Sequence, residues 1–224
     1  MMTKTYAFPD LHGRFDHLLG AIKAVKDDGL TDDDTLVFLG DYIDRGPQSA
    51  EIVASLRGLM GDRPNVICLS GNHEYMMVWG LQHGDEQLQG WAVNGGVMTI
   101  ASYTDGLGDL DQQTMADDCV WFLALPTTHE DAHRVYVHAK VDPSLPLDEQ
   151  QLKTVHWERY KREDGTGYNG KHVVHGHEAD QRGPITVGDR TCLDTGAIWT
   201  GRYVVGVFDD DTPGGPVKVL EVLA

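Results

Sequence analysis

Positive charge is scarce in this chain. Lys and Arg number 18 against 35 Asp and Glu, a formal net charge of −17. A nucleic-acid backbone is held by clustered cations, so stable nucleic-acid binding is not expected. Cysteine is as sparse. Cys68, Cys119 and Cys192 are odd in number, far apart and set in apolar runs, which speaks against a disulfide framework or a thiolate metal site and for reduced, buried thiols. Long apolar runs are missing too. None approaches the roughly 20 residues that a membrane-spanning helix needs, and no membrane association is expected. Residues 1–8 lack the basic-then-apolar pattern of a secretory signal, so a cytoplasmic location is the expectation. No repeat, linker or low-complexity tract divides the 224 residues, and one domain spanning 1–224 is expected.

What the chain does contain is an alternation of periods. Residues 5–8, 36–39 and 66–69 are short apolar runs. Each precedes a stretch of helical character, at 15–25, 48–60 and 74–79. That repetition predicts strand–loop–helix units around a largely parallel sheet. Residues 85–125 read as helical with an interruption at Asn94-Gly95-Gly96, and Pro126 ends the run. Beyond it, the valine-rich segments 134–137, 171–174, 185–187, 191–193, 203–208 and 217–222 predict a second sheet. The expected fold class is α/β, with two packed mixed β-sheets flanked by helices.

Chemistry gathers at the ends of the predicted strands. Five loops carry metal-competent side chains: Asp10-Leu11-His12, Asp41 to Arg45, Asn72-His73-Glu74, His138, and His175-Gly176-His177. Loops at the carboxyl ends of strands are where ligand sites assemble in open sheets. Singly, each group has a structural explanation, because an Asp before a Gly-rich turn is ordinary turn chemistry and a lone His at a strand end is ordinarily hydrogen-bonded packing. Together, carboxylate, imidazole and amide-oxygen donors suit divalent Mn, Fe or Zn better than Mg or Ca, which favour nearly all-oxygen sites.

Gly40-Asp41-Tyr42-Ile43-Asp44-Arg45-Gly46 followed by Gly71-Asn72-His73-Glu74 resembles the core signature of the phosphoprotein phosphatase family of calcineurin-like metallophosphoesterases. The likeness continues through Val137-His138-Ala139, Trp157-Glu158-Arg159, Gly176-His177 and Asp194-Thr195-Gly196-Ala197, nearly the whole chain. It looks closest to the small bacterial and bacteriophage serine/threonine phosphatases. The resemblance implies that Asp10 and His12 hold one metal, that Asn72, His138 and His177 hold another, and that Asp41 bridges them. A shared hydroxide would then attack phosphorus in line. His73 is the implied general acid, with Asp44 expected to orient its ring and favour its protonated form. Arg45 and Arg159 are expected to grip the phosphate, with Arg162 as the rival of Arg159. Two divalent ions, manganese first and iron or zinc next, are the implied cofactors.

The sequence departs from the family pattern at Pro9, Lys140 and Glu178, none of which removes a ligand; Lys140 and Glu178 are expected to put charge near the cleft. The first functional expectation is a phosphomonoesterase acting on phosphoserine or phosphothreonine proteins and on small phosphate esters. The alternative is a dinucleoside polyphosphate hydrolase of the diadenosine tetraphosphate type, which the intact Asp44-Arg45-Gly46 disfavours by resemblance. A third reading, of another class, is an inactive module that binds a phosphorylated ligand.

Overall fold

The computed structural model describes residues 3–223. Its first three strands, β1 (Lys4–Phe8), β2 (Thr35–Phe38) and β3 (Val66–Cys68), run parallel and alternate with α1 (Phe15–Asp27) and α2 (Ser49–Asp62), as the periodicity predicts. After β3 come α3 (Asn72–His83) and α4 (Asp85–Trp91), a π-helical turn at Ala92–Gly96, α5 (Val97–Ser102) and α6 (Gln112–Ala124). The predicted interruption at Asn94-Gly95-Gly96 is that π turn. A second break at 103–111, a turn closed by a bridge between Thr104 and Leu110, was not legible in the sequence.

The C-terminal half holds β4 (Thr128–Glu130), β5 (Arg134–Val137), α7 (Leu152–Trp157), β6 (His172–His175), β7 (Ile185–Val187), β8 (Arg190–Cys192), α8 (Ala197–Thr200), β9 (Arg202–Asp209) and β10 (Lys218–Leu223). The second sheet has the order β4-β5-β6-β8-β7, and the first is β10-β9-β1-β2-β3. The last two strands therefore join the first sheet, not the second sheet to which their place in the chain assigned them. β9 pairs antiparallel with β1, and β10 with β9. Lys4 and Lys218 both reach Asp28 at the end of α1, tying the outermost strand to the helical layer.

Alternation explains the layers. In β1, Tyr6 and Phe8 face the helices while Ala7 faces the other sheet; in β2, Leu36 and Phe38 face the helices and Val37 the other sheet. Tyr136 of β5 and Val174 of β6 meet Ala7 and Val37 in the layer between the sheets, whereas Val135 and Val173 turn outward. One side chain per strand step thus goes to each layer. β1, β2 and β3 are mutually parallel, as are β5, β6 and β8. The carboxyl ends of these six strands supply the loops of one edge.

Candidate active site

All five predicted loops meet at that edge, joined by a sixth after β8 that carries Asp194. A cavity of about 500 Å³ is lined by Asp10, His12, Asp41, Arg45, Asn72, His73, Arg159 and His177 together with Glu178, Asp194 and Trp199. Asp44 and His138, both 0% exposed, lie behind its wall. The geometry brings every predicted site residue to this one place and separates the rival arginines: Arg162 lines a neighbouring cavity instead. The stretch read as a possible solvated helical face, Trp157 to Arg162, is not a helix past Trp157, where α7 ends. Arg159 stands on the extended chain that follows.

Asp41 is the centre of the constellation. Its carboxylate lies 3.7 Å from His12 Nε2 and 3.4 Å from His138 Nε2. The ring of His12 donates from Nδ1 to the Ile43 carbonyl at 3.0 Å, and that of His138 donates from Nδ1 to the Leu39 carbonyl at 3.0 Å. These bonds leave each Nε2 as a lone pair aimed into the cluster, the arrangement found in metal-ligating histidines. The His138 Nε2 lone pair then faces Asn72 Oδ1 at 2.9 Å, acceptor against acceptor. A cation between such atoms is what satisfies them. Burial and neighbouring carboxylates hold Asp10 and Asp41 well above the usual carboxylate range, and burial holds His12 and His138 well below that of histidine. Two groups of donors lie within 4.8 Å of one another, His12 with Asp41 and His73, and Asp41 with His138 and His177. Asp10 joins the first group with an oxygen 3.9 Å from His12 Nε2. The donor set fits a pair of divalent cations sharing Asp41.

His73 differs from the other imidazoles. Its Nδ1 is bonded to Asp44 at 2.6 Å, and its Nε2 accepts from Arg45 at 2.9 Å. Thr99 Oγ1 and Trp91 Nε1 also donate to the Asp44 carboxylate, at 2.6 and 2.9 Å. Burial lifts Asp44 to about 7 against the pull of those two donors. The expectation that Asp44 favours a charged His73 is corrected here. Burial first, then the charges of Arg45 and His177, push His73 well below the ordinary histidine value. Asp44 orients the ring without prevailing over its desolvation.

The backbone around these groups is strained. His12, Asp41, Asp44, Arg45 and His177 are five of the six non-glycine residues with positive φ among those described. Such conformations cost roughly 1–3 kcal/mol each and persist only where the surroundings over-determine them. Glu74 is one such surrounding. Fully buried, it accepts from the backbone N–H groups of Asp41, Tyr42 and Gly71 at 2.8–2.9 Å, clamping the β2 loop onto the start of α3. Gly95 of the π turn is another. Its carbonyl accepts from Arg45 N–H at 3.2 Å, and a Cβ there would stand 2.7 Å from that nitrogen. A glycine was recognisable at this position in the sequence; its partner was not.

The remaining sequence expectations sort cleanly. Cys68 and Cys192 are buried and Cys119 half-buried, all free. His175 bonds Gly176 O and Arg190 behind the strand end, the structural role expected of it. Glu178 does put charge at the cavity, where it accepts from Tyr160 N–H at 2.8 Å. Lys140 does not line the cavity; it pairs with Glu158 at 3.6 Å. In α3, Met77 packs into the core as expected, but Trp79 is 42% exposed and stacks on Tyr75 and His83.

Two sheets thus send their parallel strand ends to one shared carboxylate and a ring of imidazoles. Residues 3–197 match the calcineurin-like phosphoesterase family, and the chain belongs to it. A symmetrical bis(5'-nucleosyl)-tetraphosphatase of Methylococcus capsulatus is 28% identical over 140 residues, 62% of this chain and 44% of that protein. The catalytic subunit of serine/threonine-protein phosphatase 6 of Caenorhabditis elegans is 44% identical over 66 residues, 29% of this chain and 19% of that one. The chain thus spans less than half the length of these relatives. Among solved structures, a candidate diadenosine tetraphosphatase superposes with a TM-score of 0.70 at 22% identity, covering 100% of this chain and 95% of its own. No described helix is long and apolar enough to cross a membrane.

Proposed function

We propose that this protein is a dinuclear metal-dependent phosphohydrolase that cleaves dinucleoside polyphosphates. The observation that carries the hydrolase reading is Asp41, whose carboxylate lies between His12 Nε2 on one side and, on the other, His138 Nε2, whose lone pair faces the amide oxygen of Asn72. Asp10, His12 and Asp41 would hold one cation, and Asp41, Asn72, His138 and His177 the other, with manganese the expected metal. Bound there, the cations supply Lewis acidity at phosphorus and an acidified water. Arg45 and Arg159 are assigned to the phosphoryl oxygens, which a guanidinium matches in shape and charge. Arg45 Nη1 bonds His12 Nε2, and with that nitrogen given to a cation the guanidinium fork would be free for substrate. His73, with Nδ1 anchored on Asp44, is assigned the proton of the leaving oxygen; its Nε2 accepts from Arg45 in this structure, so the role requires the ring to take up a second proton once Arg45 has turned to the phosphate.

The substrate class rests on relatives. The relative matched over the larger share of this chain is described as a symmetrical bis(5'-nucleosyl)-tetraphosphatase, which reverses the order in which the sequence alone ranked the two substrates. The second reading, a phosphoserine or phosphothreonine phosphatase, draws on the intact Asp44–His73 pair and on the stretch shared with the phosphatase 6 subunit.

Initial rates of the manganese-loaded protein on diadenosine tetraphosphate and on a phosphoserine peptide, with Asp41→Asn as the blank, decide between them. Faster turnover of the dinucleotide is the expected result. Faster turnover of the peptide would move the protein to the second reading, and turnover of neither would sink both.

A further inference from the structure

Trp199 is out of place by the ordinary rules of burial. It is 68% exposed, although a tryptophan gains more than most side chains by leaving water. It stands at the rim of the reaction cavity, and the Arg45 guanidinium lies 5.2 Å from its ring centroid. Its position is fixed. α8 is a single turn bounded by two left-handed glycines, Gly196 at φ 64° and Gly201 at φ 69°. The Trp199 N–H donates to Gly196 O at 2.9 Å, and the Thr200 hydroxyl to Thr195 O at 3.3 Å. A Cβ on Gly196 would touch the indole at 3.4 Å, so the ring lies over that glycine and is held by it. The result is a braced, exposed aromatic ring at the cavity rim, with a guanidinium already assigned to phosphate lying over it.

We propose that Trp199 is the stacking platform for a nucleobase of the substrate, placed so that the phosphates attached to the same nucleoside lie against Arg45. This inference deepens the dinucleoside polyphosphate reading and rests on it. An indole offers a two-ring face that matches a purine, and the Arg45–Trp199 pair presents one group for each half of a nucleotide. Stacking of a base on an aromatic side chain is worth roughly 5- to 150-fold in affinity. The aromatic ladder of Tyr75, Trp79 and His83 along α3 is not part of the platform, because none of the three lines the reaction cavity.

The test uses ligands that cannot be hydrolysed. An adenosine phosphonate, phenylphosphonate and methylphosphonate are titrated calorimetrically into the manganese-loaded full chain as wild type, Trp199→Ala and Trp199→Phe. The wild type is expected to prefer the adenosine ligand over methylphosphonate by about tenfold or more. Trp199→Ala should abolish most of that preference, and Trp199→Phe should keep the greater part of it. Absence of the preference in the wild type, or its survival in Trp199→Ala, would overturn the platform. So would a loss in Trp199→Ala confined to phenylphosphonate, which would make the bound ring a simple aryl group. Binding is read separately from turnover. A wild type that hydrolyses only the phosphopeptide, yet shows Trp199-dependent adenosine affinity, keeps the platform and loses the substrate reading.

Discussion

Arg159 and Arg162 stand one helical turn apart in sequence and are both exposed, yet the chain between them is not helical, and only Arg159 reaches the reaction cavity. Replacing each separately by Ala should therefore split them. Arg159→Ala is expected to lower kcat/KM about 10- to 100-fold, the loss of a charge-assisted bond to phosphate, and Arg162→Ala less than about threefold. Steady-state kinetics on one substrate would check this, and equal losses would count against the assignment. The same scale shows what a motif can hide. Asp44, His73 and Glu74 all lie in recognisable loops, and the sequence pointed to the first two. The partners that hold Asp44, Trp91 and Thr99, come 47 and 55 residues later in ordinary helical contexts, with no local signal. Glu74 stood in plain view inside its motif. Its task, receiving three backbone N–H groups from two loops, exists only once β2 and β3 lie side by side.

At the scale of an element, the π turn between α4 and α5 breaks the regular helix and bonds the backbone of Arg45. Gly95 sits there at φ 116°, a region that L side chains rarely adopt. Gly95→Ala should cost about 1–3 kcal/mol in stability and displace Arg45, lowering kcat/KM with it. Gly90 offers a control a few residues earlier. It lies within α4, where an added Cβ would meet open space, so Gly90→Ala should raise stability by about 0.5–1 kcal/mol. Urea denaturation of the two variants would check both signs, and a stable, fully active Gly95→Ala would dismiss the clamp. The strands also separate what periodicity can and cannot say. The alternation in β1 and β2 marks which side chains face which layer, because one face of a strand packs where the other does not. It carries no information on neighbours, and β9 and β10 accordingly ended in the sheet that the sequence did not assign to them.

For the whole molecule, the buried histidines set a pH dependence. His156 is 1% exposed and packs among Tyr75 and Trp157. Burial pushes it down to about 4. Its unfolded value is about 6.5, so below that pH the unfolded chain binds the proton more readily than the native one. The contribution of the neutral ring is complete above about pH 6.5 and is lost as pH falls toward 4. His156→Phe keeps an aromatic ring without the titration and should reduce the drop in unfolding free energy between pH 7 and 4.5 by about 2 kcal/mol. An unchanged drop, measured by urea titration at both pH values, would show that His156 is not the group responsible. At this same scale the division between sequence and structure is clearest. The sequence by itself determined the α/β class and the loops that carry metal-competent side chains, because strand periods, turn residues and side-chain chemistry are local properties. Only the tertiary structure decided which strands became neighbours, which arginine reached the cavity, how burial outweighed Asp44 at His73, and that Trp199 stood open beside Arg45. Each of those depends on what lies across space from a residue, and desolvation, close approach and exposure have no local sequence signature.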